Sequence, residues 1–211
     1  MGLVYRVCRN LSRAFAEAAL DYRVIHEDRL IEHGGVLLCC NHASYLDPPL
    51  AGVAYKGPVH YLARKSLLSN PVSRWLFPRL HVVPIDQDQP GFAGLKTIIK
   101  VLKEGNRVLI FPEGSRSPDG NLLPAEPGTG LVVAKARVPV TPMRIFGAHE
   151  ALPVGSGKFK MGTVTVVIGE PIRFDREPMP EGKDGYQKIS NRIMDAIAAL
   201  QCPPDRVPPP R

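Results

Sequence analysis

The chain has 211 residues, 44% of them hydrophobic, which suits one domain built around a single buried core. A formal net charge of +7 and a sequence pI near 9.4 favour an anionic partner: nucleic acid, a phosphorylated metabolite or a lipid surface. No apolar run approaches the ~20 residues that cross a bilayer. The N-terminus lacks a signal-peptide core, and Arg6 stands where a myristoylation signal requires Ser or Thr. The expectation is a cytoplasmic protein, soluble or peripheral on the inner face of a membrane. Cys8, Cys39, Cys40 and Cys202 show neither Cys-x-x-Cys nor zinc-type spacing and read as reduced thiols.

Residues 1–20, MGLVYRVCRNLSRAFAEAAL, pattern as an amphipathic helix, with Leu3, Val4, Val7, Leu11 and Phe15 on one side and Arg6, Arg9 and Arg13 on another. That pattern fits an anionic bilayer surface, and it also fits a helix docked on the core with its polar face in water. Short runs rich in Val and Ile then recur as strands: GVLLCC (35–40), VHYLA (59–63), LHVVPI (80–85), RVLIF (107–111), VPVTPMRI (138–145) and TVTVVI (163–168). Between them lie helical patterns at 91–105, ending at Gly105 as a C-cap, at 130–137, and at 184–200. The first carries Leu95, Ile98, Ile99 and Leu102 on one face; the last repeats Ile189, Ile193, Ile197 and Leu200.

Strands alternating with helices predict an α/β fold, a central mixed sheet flanked by helices and preceded by the N-terminal amphipathic helix. The boundaries fall at 1–24, 25–200 and 201–211, the last a Pro-rich tail (PPDRVPPPR) expected to be extended and poorly ordered. In such sheets, active groups gather where strands end and loops begin.

Two stretches sit at strand ends. In NHASYLDP (41–48), five positions separate His42 from Asp47, about 140° around a helix axis, so the two side chains meet only in a turn. Asp47 precedes Pro48, and a residue before proline avoids helical dihedrals, so a helix starting at Pro48 with Asp47 as N-cap is natural. Capping leaves catalysis open: an Asp beside His42 would accept its ring N–H, fix the tautomer and make the imidazole a general base. His26, His33, His60, His81 and His149 have no comparable partner spacing and read as structural. In LIFPEGSRSPDG (109–120), backbone N–H groups freed by Gly114, the hydroxyls of Ser115 and Ser117 and the guanidinium of Arg116 form a candidate phosphate cradle. The alternative there is a plain β-turn, with Pro118 to Gly120 supplying turn residues.

Other motifs fail. GSGK (155–158) lacks the upstream Gly and following Ser or Thr of a P-loop, and no Gly-x-Ser-x-Gly elbow occurs. GFAG (91–94) has the Gly-x-x-Gly of an RNA-binding loop without stacking aromatics nearby, so no nucleic acid is expected as partner.

In this order the pieces resemble the lysophosphatidate acyltransferase (1-acylglycerol-3-phosphate acyltransferase) family, over residues 35–172. Its Asn-His-x-x-x-x-Asp motif is matched by Asn41, His42 and Asp47, and its Phe-Pro-Glu-Gly-Thr/Ser-Arg-Ser motif by Phe111 to Ser117. Its Val-Pro-x-x-Pro strand is matched by Val138, Pro139 and Pro142. Two motifs depart: Gln87 stands where the family usually has an Arg, and Ala125 and Glu126 stand where it has a Phe-Lys pair.

The resemblance implies that residues 25–200 are an acyltransferase domain. His42 would take the proton of an acceptor hydroxyl as it attacks the thioester of acyl-CoA or acyl-carrier protein, a co-substrate rather than a cofactor. Asp47 would orient His42. Asn41, Glu113, Gly114, Ser115 and Arg116 would bind substrate, the last four at the phosphate of a lysophospholipid acceptor, and no metal is called for. The N-terminal helix and NPVSRWLFPRL (70–80), with Trp75, are candidates for contact with an anionic membrane; for Trp75, Leu76 and Phe77 the alternative is core packing. A basic lipid-surface or nucleic-acid binding protein without chemistry would explain the charge, but not the order of His42, Asp47, Glu113 and Arg116.

Overall fold

The short Val- and Ile-rich runs lie side by side in one sheet, because none is long enough to bury its apolar side chains alone. The computed structural model describes residues 2–85, 92–174 and 178–208. The elements are α1 (Leu3–Leu20), β1 (Arg23–Ile25), β2 (Val36–Cys40), α2 (Asp47–Val53), β3 (Val59–Arg64), α3 (Pro71–Arg79), β4 (Val82–Ile85), α4 (Phe92–Lys103), β5 (Arg107–Ile110), α5 (Pro127–Ala136), β6 (Val140–Phe146), α6 (Ala148–Ala151), β7 (Thr165–Ile168) and α7 (Gly182–Ala198). Seven strands run in the order β1-β7-β6-β2-β5-β3-β4. Only the β6–β7 pair is antiparallel, so the sheet is mixed, as expected.

β2 is the middle strand and is buried along its whole length. Successive strand side chains point to opposite faces. Val36, Leu38 and Cys40 therefore join the cluster under α1 and α2, while Leu37 and Cys39 join the one under α4, α5 and α7. This two-sided burial is why GVLLCC reads as a continuous apolar run. Burial also pushes the Cys39 and Cys40 thiols up, which keeps them protonated. On the second face, α5 and α7 approach so closely that a Cβ on Gly130 would lie 1.9 Å from the Tyr186 carbonyl oxygen, and the Gly130 N–H donates to Ser190 Oγ (2.9 Å).

α1 departs from a two-sided pattern. Tyr5, Ala16 and Leu20 are its buried residues, whereas Leu3, Val7, Leu11 and Phe15 face outward. The arginines are largely spent internally. Arg9 donates to the carbonyls of Tyr55 (2.7 Å) and Val53 (3.3 Å), and Arg13 pairs with Glu17 (2.5 Å), which leaves Arg6 exposed. The expected basic face is therefore mostly turned into contacts with the chain itself.

Some elements differ from expectation. β1 straddles the boundary drawn between 24 and 25; at three residues it is too short to show a period. The stretch 70–80 forms α3, started by Pro71 in its first turn and by Asn70, whose side chain accepts from the Ser73 N–H (2.8 Å). Core packing fails for Trp75, which is 53% exposed, with the Arg79 guanidinium stacked 4.4 Å from its ring centroid. The tail is ordered through Arg206: Pro204–Arg206 form a 3-10 turn, and the buried Arg206 bonds to the side chain and carbonyl of Asp21 and to Thr165. A guanidinium with three such acceptors holds a Pro-rich segment that composition alone leaves loose.

Candidate active site

β2 and β5 are parallel neighbours with Cys39 opposite Ile110, so the segments that begin at Asn41 and Phe111 leave the sheet side by side at its carboxyl edge. The two loops are then stitched together. The His42 N–H donates to Glu113 Oε1 (2.8 Å), and the His42 carbonyl accepts from the Ser117 N–H (2.7 Å). Phe111 stacks on the His42 imidazole, with centroids 3.9 Å apart and planes 14° from parallel. Both main-chain groups and one face of His42 are thus fixed by the second loop.

Asp47 fixes the remaining degree of freedom. Its Oδ2 accepts from His42 Nδ1 (2.8 Å) and from the N–H groups of Ala43 and Ser44 (2.7 Å each). An ionised carboxylate only accepts, so Nδ1 carries the proton and Nε2 keeps its lone pair. Nε2 has no partner among the described residues. Asp47 is fully buried, and Asp47 Oδ1 has no hydrogen bond. The expected N-cap role is not what the carboxylate does: Asp47 is itself the first residue of α2, and it caps the 43–44 turn behind it. Three donors to one oxygen outweigh the preference of a pre-proline residue for extended backbone.

The other expected site residues divide. Glu113, expected at the acceptor, is 4% exposed, and its second oxygen accepts from the Leu123 N–H (2.9 Å). Burial raises its pKa, opposed by the hydrogen bonds from Leu123 and His42. Its carboxylate is therefore turned to the backbone of both loops and not outward. Asn41, expected to bind substrate, is also turned inward: it exchanges both amide hydrogen bonds with the Ile145 main chain (2.7 and 3.2 Å), joining the ends of β2 and β6. Gly114 and Ser115 are exposed, and the φ of +69° at Gly114 explains why glycine occupies that position.

Arg116 stands apart. Its guanidinium carbon lies 3.6 Å from the ring centroid of Tyr45, and its Nη1 is buried without a hydrogen-bond partner. Glu126, in the position of the expected lysine, lies against Gly114, its Cγ 3.0 Å from where a Cβ there would be. Gln87 falls outside the described residues. Among those described, no group of three or more His, Cys, Asp or Glu side chains is arranged to hold a metal ion.

Sequence reasoning missed several contributors. Tyr45 sits within the first motif with no periodicity to mark it. Ser44 Oγ donates to the Leu152 carbonyl (2.8 Å), and His149 Nδ1 contacts the Ala43 carbonyl (3.3 Å); both partners are more than a hundred residues away.

An imidazole whose tautomer is set by a buried carboxylate is equipped to act as a general base toward a hydroxyl. The family described as Acyltransferase matches residues 21–146, more than half of the chain, and the chain belongs to that family. The chain is 29% identical over 170 residues to a 1-acyl-sn-glycerol-3-phosphate acyltransferase of Bacillus subtilis, covering 80% of this chain and 82% of that one. It is 35% identical over 138 residues to a chloroplastic enzyme of the same name from Brassica napus, covering 63% of this chain and 39% of that longer one. Among solved structures, the 1-acyl-sn-glycerophosphate (LPA) acyltransferase PlsC of Thermotoga maritima superposes with a TM-score of 0.75 at 25% identity, covering 94% of this chain and 81% of that one.

Proposed function

We propose that the chain is a lysophosphatidate acyltransferase. It moves a fatty acyl group from an acyl-CoA or acyl-carrier-protein thioester to the free hydroxyl of 1-acyl-glycerol-3-phosphate, giving phosphatidic acid. The observation that carries this reading is the 2.8 Å contact between His42 Nδ1 and Asp47, which leaves Nε2 as an unencumbered base. Nε2 takes the hydroxyl proton as the oxygen attacks the thioester carbon. The new C–O bond replaces the C–S bond, and the imidazolium, stabilised by Asp47, returns the proton to the leaving thiolate. Arg116, with the exposed turn at Gly114 and Ser115, meets the acceptor phosphate. Glu113 and Asn41 hold His42 and its strand in place. The names of the relatives and the three matched motifs support the choice of acceptor.

Both substrate and product carry apolar chains, so the reaction belongs at a membrane surface, read here as the inner, cytoplasmic face. No helix among the described residues is long and apolar enough to cross a membrane. The outward stripe Leu3, Val7, Leu11 and Phe15 supports peripheral attachment.

The test is product formation from lysophosphatidate with labelled acyl-CoA and labelled acyl-carrier protein offered in turn, wild type beside His42→Ala. Phosphatidic acid from wild type and a loss of about 10²–10⁴ in rate for the variant are expected. Equal rates in both proteins, or no product with either donor, would overturn the reading. Glu126 beside Gly114 favours one second reading, transfer to a lipid hydroxyl lacking the phosphate monoester. Faster turnover of such an acceptor in a competition assay would establish it.

A further inference from the structure

The outward stripe of α1 has apolar side chains but few cations of its own, since Arg9 and Arg13 are engaged within the chain. The cations beside it come from elsewhere. Segment 154–162, VGSGKFKMG, follows α6 and runs alongside α1. Its Phe159 ring packs 5.5 Å from the Phe15 ring, which continues the stripe onto a second element. Phe159 is 42% and Met161 73% exposed, beside Phe15 at 47% and Leu11 at 66%. Lys158 and Lys160 alternate with these two residues, are exposed, and have no ion-pair partner among the described residues.

The segment is tied to its surroundings at several points. The Lys160 N–H donates to the Ala151 carbonyl (2.8 Å), and the Gly162 N–H donates to the Ala19 carbonyl near the end of α1 (3.2 Å). At its start, Leu152 and Pro153 are joined to Ser44 by the 2.8 Å hydroxyl bond and an antiparallel bridge. Ser44 lies in the turn capped by Asp47. The loop therefore spans from the turn at Ser44 to α1, with Lys158, Lys160 and Met161 exposed and Phe159 partly exposed against Phe15.

We infer that segment 154–162 is a second membrane anchor: Phe159 and Met161 enter the acyl boundary of an anionic bilayer beside α1, and Lys158 and Lys160 meet the phosphate headgroups. Apolar side chains give depth and lysines give attraction to an anionic surface, and here the two alternate in one short segment. Charge complementarity selects this occupant, since the exposed lysines of the loop, without an ion-pair partner among the described residues, border the apolar stripe of α1. The inference rests on the membrane reading proposed above and adds the element that turns the site toward the bilayer.

The full chain is tested by co-sedimentation with vesicles of phosphatidylcholine, alone and mixed with phosphatidylglycerol. Phe159→Ser with Met161→Ser, and separately Lys158→Gln with Lys160→Gln, should each weaken partitioning into the mixed vesicles by about tenfold or more. Transfer to a short-chain, monomeric lysophosphatidate should stay at the wild-type rate, which shows that the variants fold. Phe159→Trp in a Trp75→Phe background should shift its emission to the blue and be quenched by brominated lipid. Wild-type binding with unchanged binding of both double variants would overturn the loop assignment and leave the membrane reading standing. Failure of wild type to bind any vesicle would overturn the membrane reading itself. Variants that lose binding to acyl-carrier protein, with vesicle binding intact, would reassign the loop to a protein partner.

Discussion

His42 and Arg116 sit in loops that leave adjacent strands, yet their surroundings are opposites. His42 has its backbone, ring face and Nδ1 all held by Glu113, Ser117, Phe111 and Asp47. Arg116 has a tyrosine ring against its guanidinium and a buried Nη1 with no hydrogen-bond partner among the described residues. The difference separates two demands on one site. The base must be in position before substrate arrives, because misorientation costs rate. The cation must keep its donors for the substrate, because a guanidinium already satisfied by protein has little left to offer a phosphate.

The contrast can be broken most strongly at Asp47. Asp47→Asn replaces an acceptor-only group with an amide, which reverses the tautomer of His42 or leaves N–H groups facing N–H groups. Turnover should fall by about 10²–10⁴ with KM for the acceptor little changed, as steady-state kinetics would register. A variant retaining wild-type turnover would remove the orienting role. At Arg116 the signature should invert. Arg116→Lys keeps the charge and loses the planar fork, so KM for lysophosphatidate should rise about tenfold while turnover stays within about threefold. Tyr45→Ala should give a weaker copy of that effect, about threefold in KM, and Tyr45→Phe should restore it, since the ring face and not the hydroxyl makes the contact. Should Tyr45→Ala lower turnover and leave KM alone, Tyr45 would belong with the base instead.

A smaller effect is expected away from both loops, in stability. His60 and His81 lie 4.8 Å apart between β3 and β4, and burial lowers the pKa of each below 6.5. The folded state then binds fewer protons than the unfolded one as pH falls below 6.5, so stability is lost with acid over that window. The thermal midpoint should drop by a few degrees between about pH 7 and about pH 5, and by less in His81→Gln. An equal drop in both proteins would locate the acid sensitivity elsewhere.

The sequence made the local parts of this site legible. A His and an Asp five apart before a proline, and an Arg after a Gly-Ser pair, carry their chemistry in residue type and spacing. The strands were legible for a similar reason: β2 is apolar at every position because both its faces are covered. What stayed hidden depends on partners far along the chain. Nothing near Asn41 says that its amide is taken by Ile145, and nothing near Arg9 says that it turns to Tyr55. Glu113 was expected at the acceptor because the family resemblance implies it. Two backbone N–H groups, one from the other loop, draw it inward instead.

Arg206 has a consequence for how the molecule is made. It clamps Asp21, the residue that ends α1, and reaches Thr165 at the start of β7. The end of α1 is thus fastened by a residue 185 positions further along the chain. Until residues 203–206 have been made, the C-terminal end of α1 lacks this latch. A cut that removes Arg206 would leave every proposed catalytic group in place and still loosen the end of α1.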